Sequence, residues 1–70
     1  MVEYNKVESS NIEKIGYLNE DLYVGFKSGA LYKYKNVPKE KFDEFLKADS
    51  KGRYMNEFKK NNYEYERVEM

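Results

Sequence analysis

Between Ile12 and Val37 the chain carries three short runs rich in β-branched and aromatic residues: Ile12 to Leu18, Leu22 to Phe26 and Ala30 to Val37. Asn19-Glu20-Asp21 and Lys27-Ser28-Gly29 separate them, and both triplets are made of turn-forming residues. The pattern predicts a three-stranded antiparallel β-meander. Its register follows from keeping charge off the apolar face. A two-residue Ser28-Gly29 loop would set Val24 against Lys33. A three-residue loop, with Gly29 in the left-handed position of a bulge, sets Phe26 against Ala30, Val24 against Tyr32 and Leu22 against Tyr34. The inner face is then Leu22, Val24, Phe26, Tyr32 and Tyr34, joined by Ile15 and Tyr17 when Tyr17 pairs with Leu22. Tyr23, Gly25, Lys33 and Lys35 form a polar, basic outer face.

After Pro38 the period changes. Pro38 suits the first turn of a helix, where its missing N–H costs nothing, and Phe42, Phe45 and Leu46 follow at helical spacing with charged residues between them. Ser50 is an N-cap for a second helix running to about Lys60, with Tyr54, Met55 and Phe58 on its apolar side. Residues 63–68 alternate with period two, which suits a last strand or an extended arm. The expectation is an α+β domain over residues 1–70: a three-stranded meander, two helices packed on one face, and a short extended C-terminal segment.

Composition narrows the chemistry. The chain of 70 residues has no cysteine and no histidine, which removes disulfides, the usual zinc ligand sets, thiol nucleophiles and an imidazole base. Asp43 and Glu44 lie on the solvated side of the first helix and make a poor acid–base pair, so neither catalytic residues nor a cofactor nor a metal is expected. Apolar runs of two or three residues are far short of the roughly 20 needed to span a bilayer. No signal-type segment is visible either, so a cytoplasmic protein is expected.

The net charge of zero hides segregation. Residues 1–26 hold two lysines against five acids, residues 27–38 hold Lys27, Lys33 and Lys35 with no acid, and residues 51–62 hold four basic residues against Glu57. With a pI near 6.3 the chain is not a strong non-specific DNA binder, yet it can present a local positive surface.

Several pieces, in order and spacing, resemble the KTSC domain. They are Ser9-Ser10-Asn11-Ile12, Ile15-Gly16-Tyr17, a Leu22-x-Val24-x-Phe26-x-x-Gly29 hairpin, Tyr32-x-Tyr34, Val37-Pro38, Ala48-x-Ser50-x-Gly52-x-Tyr54-x-Asn56 and Tyr63-x-Tyr65. Met55 stands where that family favours an aromatic, Lys59 where arginine is usual and Glu64 where proline is common. The resemblance implies a small domain of the kind found at the C-terminus of some lysyl-tRNA synthetases and as free-standing bacterial and phage proteins, with nucleic-acid binding the suggested role.

Three constellations carry candidate chemistry. Lys33, Lys35 and Tyr23 on the open sheet face suit a phosphate backbone and a stacked ring, against the plainer reading of a solvated face. Ser50, Lys51, Arg53, Tyr54 and Asn56 combine a capped helix start with two cations, an anion-ready arrangement that equally describes a corner between helices. Tyr32-x-Tyr34 is either a base-stacking platform or, as the register favours, core with hydroxyls bonded at its rim. The expected function is a non-catalytic binding module for RNA or a nucleotide-like phosphate ligand through the basic central surface. The alternative is a protein-interaction module, such as a phage-encoded inhibitor of a host protein or a protein that sequesters a signalling nucleotide. A monomer or a homodimer through an uncovered sheet edge fits either reading.

Overall fold

The computed structural model describes residues 2–68. Seven elements follow in order: β1 (Tyr4–Lys6), β2 (Ile12–Leu18), β3 (Asp21–Phe26), β4 (Leu31–Tyr34), α1 (Lys39–Lys47), α2 (Lys51–Lys59) and β5 (Tyr65–Arg67). The strands form one antiparallel sheet in the order β1-β2-β3-β4-β5, so the expected three-stranded meander gains a strand at each edge. β1 and β5 are three residues each and exposed throughout, which is why their apolar content carries little signal.

The central register is the expected one. Val24 faces Tyr32, Leu22 faces Tyr34 and Tyr17 faces Leu22. The Phe26 N–H donates to the Ala30 carbonyl across a loop whose Gly29 has φ +99°. Asn19 and Glu20, at φ 51° and 67°, make the two-residue turn between β2 and β3. A register shift between Ile12 and Lys14 absorbs one residue. That bulge lets Ile12 and Ile15, three positions apart, both point into the core.

The last expected strand is shorter than its apolar run. It ends at Tyr34, Asn36 turns the chain at φ 56°, and Val37 is buried as its N–H donates to the Glu20 carbonyl. Pro38 is not inside the first helix but caps it, with extended backbone (φ −61°, ψ 145°). The residue before it has no helical freedom and Pro38 itself cannot donate, so the helix begins at Lys39. Ser50 does cap α2: its side chain accepts from the Arg53 N–H at 3.3 Å. Ser9 plays the matching part before β2, accepting from the Asn11 and Ile12 N–H groups.

Both helices cover the same sheet face. Phe45 from α1 and Met55 and Phe58 from α2 join Ile12, Ile15, Leu22, Val24, Tyr34 and Val37 in one buried cluster. Tyr17 stacks on Phe42 at 5.3 Å between ring centroids, and its hydroxyl donates to the Val37 carbonyl, pinning β2 to the chain entering α1. No helix among the described residues is long and apolar enough to cross a membrane.

Candidate functional site: an aromatic pocket between sheet and second helix

The outer sheet face is less basic than its sequence. Lys33 lies 3.8 Å from both Asp21 and Glu66, and Lys35 lies 3.8 Å from the other Glu66 oxygen. Asp21 shares the face with Tyr23 because it sits two residues before it on β3, and β5 brings Glu66 opposite Lys33. The positive face expected from Lys33, Lys35 and Tyr23 is therefore balanced by acids brought from elsewhere in the chain. Tyr23 meets Tyr4 of β1 edge-on at 6.3 Å, and Lys14 places its ammonium 4.5 Å from the Tyr4 ring centre.

The second expected cluster lies on the other side of the sheet, in the helix layer. Ser50, Lys51 and Tyr54 have structural partners. Lys51 donates its ammonium to the Leu46 and Ala48 carbonyls and so closes the C-terminus of α1. Tyr54 donates to the Glu44 carboxylate at 2.8 Å and to the Lys41 carbonyl at 3.2 Å. Burial, then the bond to Glu44, raises its phenol above the ordinary tyrosine value. Arg53 is exposed and Asn56 projects to solvent. The geometry does not join Lys33, Lys35 and Arg53 into one surface.

A different site emerges at the far end of the helix-covered face. Phe26, Tyr32, Tyr65, Tyr34, Phe58 and Tyr63 form an unbroken chain of rings, each 4.6–5.9 Å from the next between centroids. They line an open pocket of about 460 Å³, with Lys59 and Asn62 completing its wall. Four parts of the sequence build it. Phe26 ends β3, Tyr32 and Tyr34 come from alternate positions of β4, and Phe58 and Lys59 come from the last turn of α2. The chain then reverses through Asn62, at φ 58°, so that Tyr63 stacks on Phe58 and β5 can return beside β4. Asn61 secures that exit by donating its side-chain amide to the Glu57 and Phe58 carbonyls.

Both readings of Tyr32-x-Tyr34 meet here. Tyr34 is 5% exposed and belongs to the core, while Tyr32 is half-buried, and both also line the pocket. Their hydroxyls were expected to find partners at the rim, yet those of Tyr32, Tyr34, Tyr63 and Tyr65 make no hydrogen bond among the described residues, unlike those of Tyr17 and Tyr54. No side-chain polar atom among the described residues is both fully buried and unpartnered. The Tyr34 hydroxyl is therefore not sealed from solvent, and Tyr34 is one of the residues that line the pocket. Burial, followed by the neighbouring Tyr65 and Tyr32, pushes its pKa up to about 12, so the phenol keeps its proton in neutral solution.

The pocket also has a cation on its wall. Lys41 pairs with Glu44 and Lys60 with Glu57, whereas Lys59 on the wall and Arg67 make no ion pair among the described residues. Arg67 stands directly opposite Tyr32 in the sheet, hence on the same face. The register argument yields Tyr32 and Tyr34 but not the pocket, because the converging residues lie up to 39 positions apart, from Phe26 to Tyr65. The alternation of residues 63–68 is the one local signal for its far wall.

The KTSC domain profile matches residues 8–63. The chain belongs to the KTSC domain family. An uncharacterized protein of Stutzerimonas stutzeri is 44% identical over 66 residues, covering 90% of this chain and 93% of that one. A protein of Tsukamurella paurometabola is 48% identical over 52 residues, covering 71% and 78%. In three dimensions the chain is similar to the crystal structure of the KTSC domain protein YPO2434 from Yersinia pestis, at a TM-score of 0.89 and 30% identity over 99% of this chain and 100% of that one. The likeness extends over nearly the whole length of both chains.

Proposed function

We propose that this KTSC domain is a non-catalytic binding module for a base-bearing phosphate ligand, a nucleotide or a nucleotide within single-stranded RNA. The basic outer face is not the proposed contact. The observation that carries the reading is the aromatic pocket itself, with six rings, phenol hydroxyls without hydrogen-bond partners and a lysine without an ion pair among the described residues. Its volume of about 460 Å³ falls within the roughly 300–1,000 Å³ usual for small-ligand sites. Planar aromatic surfaces bind bases by stacking, at roughly 1–3 kcal/mol per base. A free cation beside such a surface supplies the complement to phosphate that rings alone lack.

Amide chemical-shift mapping at low salt, with ribonucleoside monophosphates and a short single-stranded RNA, tests this. Shifts should concentrate on Tyr32, Tyr34, Phe58, Lys59 and Tyr63. Replacing Lys33 and Lys35 by Gln should leave affinity within about twofold, whereas Lys59→Gln with Arg67→Gln should lower it about tenfold or more. If no phosphate ligand moves these resonances, the reading fails and a protein partner replaces it.

A further inference from the structure

The last strand sorts its side chains by charge. Tyr65 and Arg67 stand opposite Tyr34 and Tyr32 and share their face of the sheet, whereas Glu66 stands opposite Lys33 and turns to the outer face, 3.8 Å from both Lys33 and Lys35. The acid of β5 is thus engaged on the far side, and no residue lining the pocket carries a carboxylate. On the near side Lys59 and Arg67 make no ion pair among the described residues. Tyr65 also differs from the other five rings. Tyr34 and Phe58 are buried and Phe26, Tyr32 and Tyr63 are half-buried, but Tyr65 is 61% exposed. Its ring lies 5.3 Å from that of Tyr34 and 5.9 Å from that of Tyr32, so it is wall and rim of the pocket at once. Those contacts take up its pocket side, and so large an exposure leaves the rest of the ring in solvent. A lone exposed ring is ordinary on a protein surface. This one continues an aromatic pocket outward and is followed, two residues or about 7 Å along the strand, by a free cation.

We propose that the ligand is a single nucleic-acid strand rather than a free nucleotide, held through two adjoining nucleotides: one base in the pocket and the next on the exposed surface of Tyr65, with Lys59 and Arg67 facing the phosphates. This rests on the nucleotide-binding reading above and narrows it. One base with its phosphate occupies the enclosed rings and one cation. The outward surface of Tyr65 and the second cation exceed what it needs and match what a second, linked nucleotide brings. Stacking accepts any base, because each has a π face, and cations set along the same path follow the charged backbone. Linkage makes the second contact intramolecular, so its worth appears as a gain of dinucleotide over mononucleotide affinity.

Dissociation constants for UMP and the dinucleotide pUpU, measured by NMR titration at low salt on the full chain and on its Tyr65→Ala and Tyr65→Phe variants, test the proposal. The wild type should bind pUpU about tenfold or more tightly than UMP, the worth of one stacked base. Tyr65→Ala should bring that ratio within about twofold, whatever it does to UMP itself, and Tyr65→Phe, which keeps the ring, should preserve it. A wild-type ratio near one while UMP binds overturns the strand assignment and leaves the nucleotide reading standing. A ratio that survives in Tyr65→Ala overturns the placement of the second base. Where neither ligand binds the wild type, the nucleotide reading and this inference fall together in favour of a protein partner. Should Tyr65→Ala release β5, as judged by lost amide protection, the wild-type and Tyr65→Phe ratios still decide. Affinity for pUpU should also fall more steeply with salt than affinity for UMP, and Arg67→Gln should bring the two slopes together; an undiminished difference in slope overturns the role of Arg67. The same gain for pdTpdT over TMP identifies the shared base and phosphate chemistry of any single strand as what is bound, and a gain confined to pUpU identifies RNA.

Discussion

Tyr34 and Phe58 meet edge to face, with ring centroids 5.1 Å apart at 83°, and this contact joins the sheet to the last turn of α2 at the pocket wall. Both side chains are buried, and both also line the pocket. Core and candidate site therefore share residues, and the chemistry of Tyr34 reports on both.

Tyr34 couples folding to alkaline pH. Burial, then the neighbouring tyrosines, pushes its pKa up to about 12 from the ordinary 10.0. In the unfolded chain it releases its proton near the ordinary value, so between about pH 10 and 12 the folded state holds more protons than the unfolded one. Stability is fully present below pH 10 and declines as pH rises through that window. Urea midpoints measured at about pH 9, 10.5 and 11.5 should fall for the wild type and fall less for Tyr34→Phe. Tyr54, raised by burial and by Glu44, acts in the same direction and leaves a residual slope in the variant. Identical slopes in the two proteins would show that Tyr34 titrates normally.

Phe45 is the largest fully buried side chain and packs against Tyr54 at 4.9 Å. Truncation to Ala leaves a cavity bounded by both helices and the sheet, at a cost of about 3 kcal/mol or more. A domain of this size has about 5 kcal/mol to lose, so its thermal transition should drop steeply or vanish. An unchanged melting temperature by circular dichroism would contradict the core described here.

Gly29 has φ +99° and open space around it. Substitution there is penalised by backbone conformation rather than by collision. Gly29→Val should cost at least about 1 kcal/mol, whereas Ser28→Ala beside it should be close to neutral. Equal denaturation midpoints for the two variants would contradict the left-handed turn.

At Gly16 the reason is space. A Cβ there would lie 2.9 Å from the Glu3 carbonyl oxygen and 2.6 Å from a Val2 methyl. The Val2 methyl can rotate aside, but the backbone oxygen cannot move without shifting β1 from its register of Tyr4 with Gly16. Gly16→Ala should therefore detach β1 while the rest of the sheet persists. Faster amide exchange at the β1–β2 hydrogen bonds, with β3–β4 protection retained, is the expected signature, and unchanged exchange at β1 would refute it.

The central hairpin was legible from residue order because register, turn and face are local. Moving Leu22, Val24, Tyr32 and Tyr34 by one position would carry every apolar side chain to the solvent face, and only Gly29 accepts the left-handed turn without strain. The two helices were legible for the same kind of reason, through the 42/45/46 spacing and the Ser50 cap. What tertiary structure alone decided was non-local. β1 is too short and exposed to announce itself, whereas residues 63–68 announce a strand or an arm by their alternation; that both pair as strands follows from the edges with unpaired backbone groups that β2 and β4 offer. The arrival of β5 changed the electrostatics: its Glu66, together with Asp21 of β3, pairs with lysines that stand without acids in their own stretch of sequence. The pocket was hidden most completely, since its rings come from β3, β4, α2 and β5, and no spacing along a chain records which side chains a helix reversal brings together. Charge balance and concavity are sums over neighbours in space, and sequence order lists only neighbours along the chain.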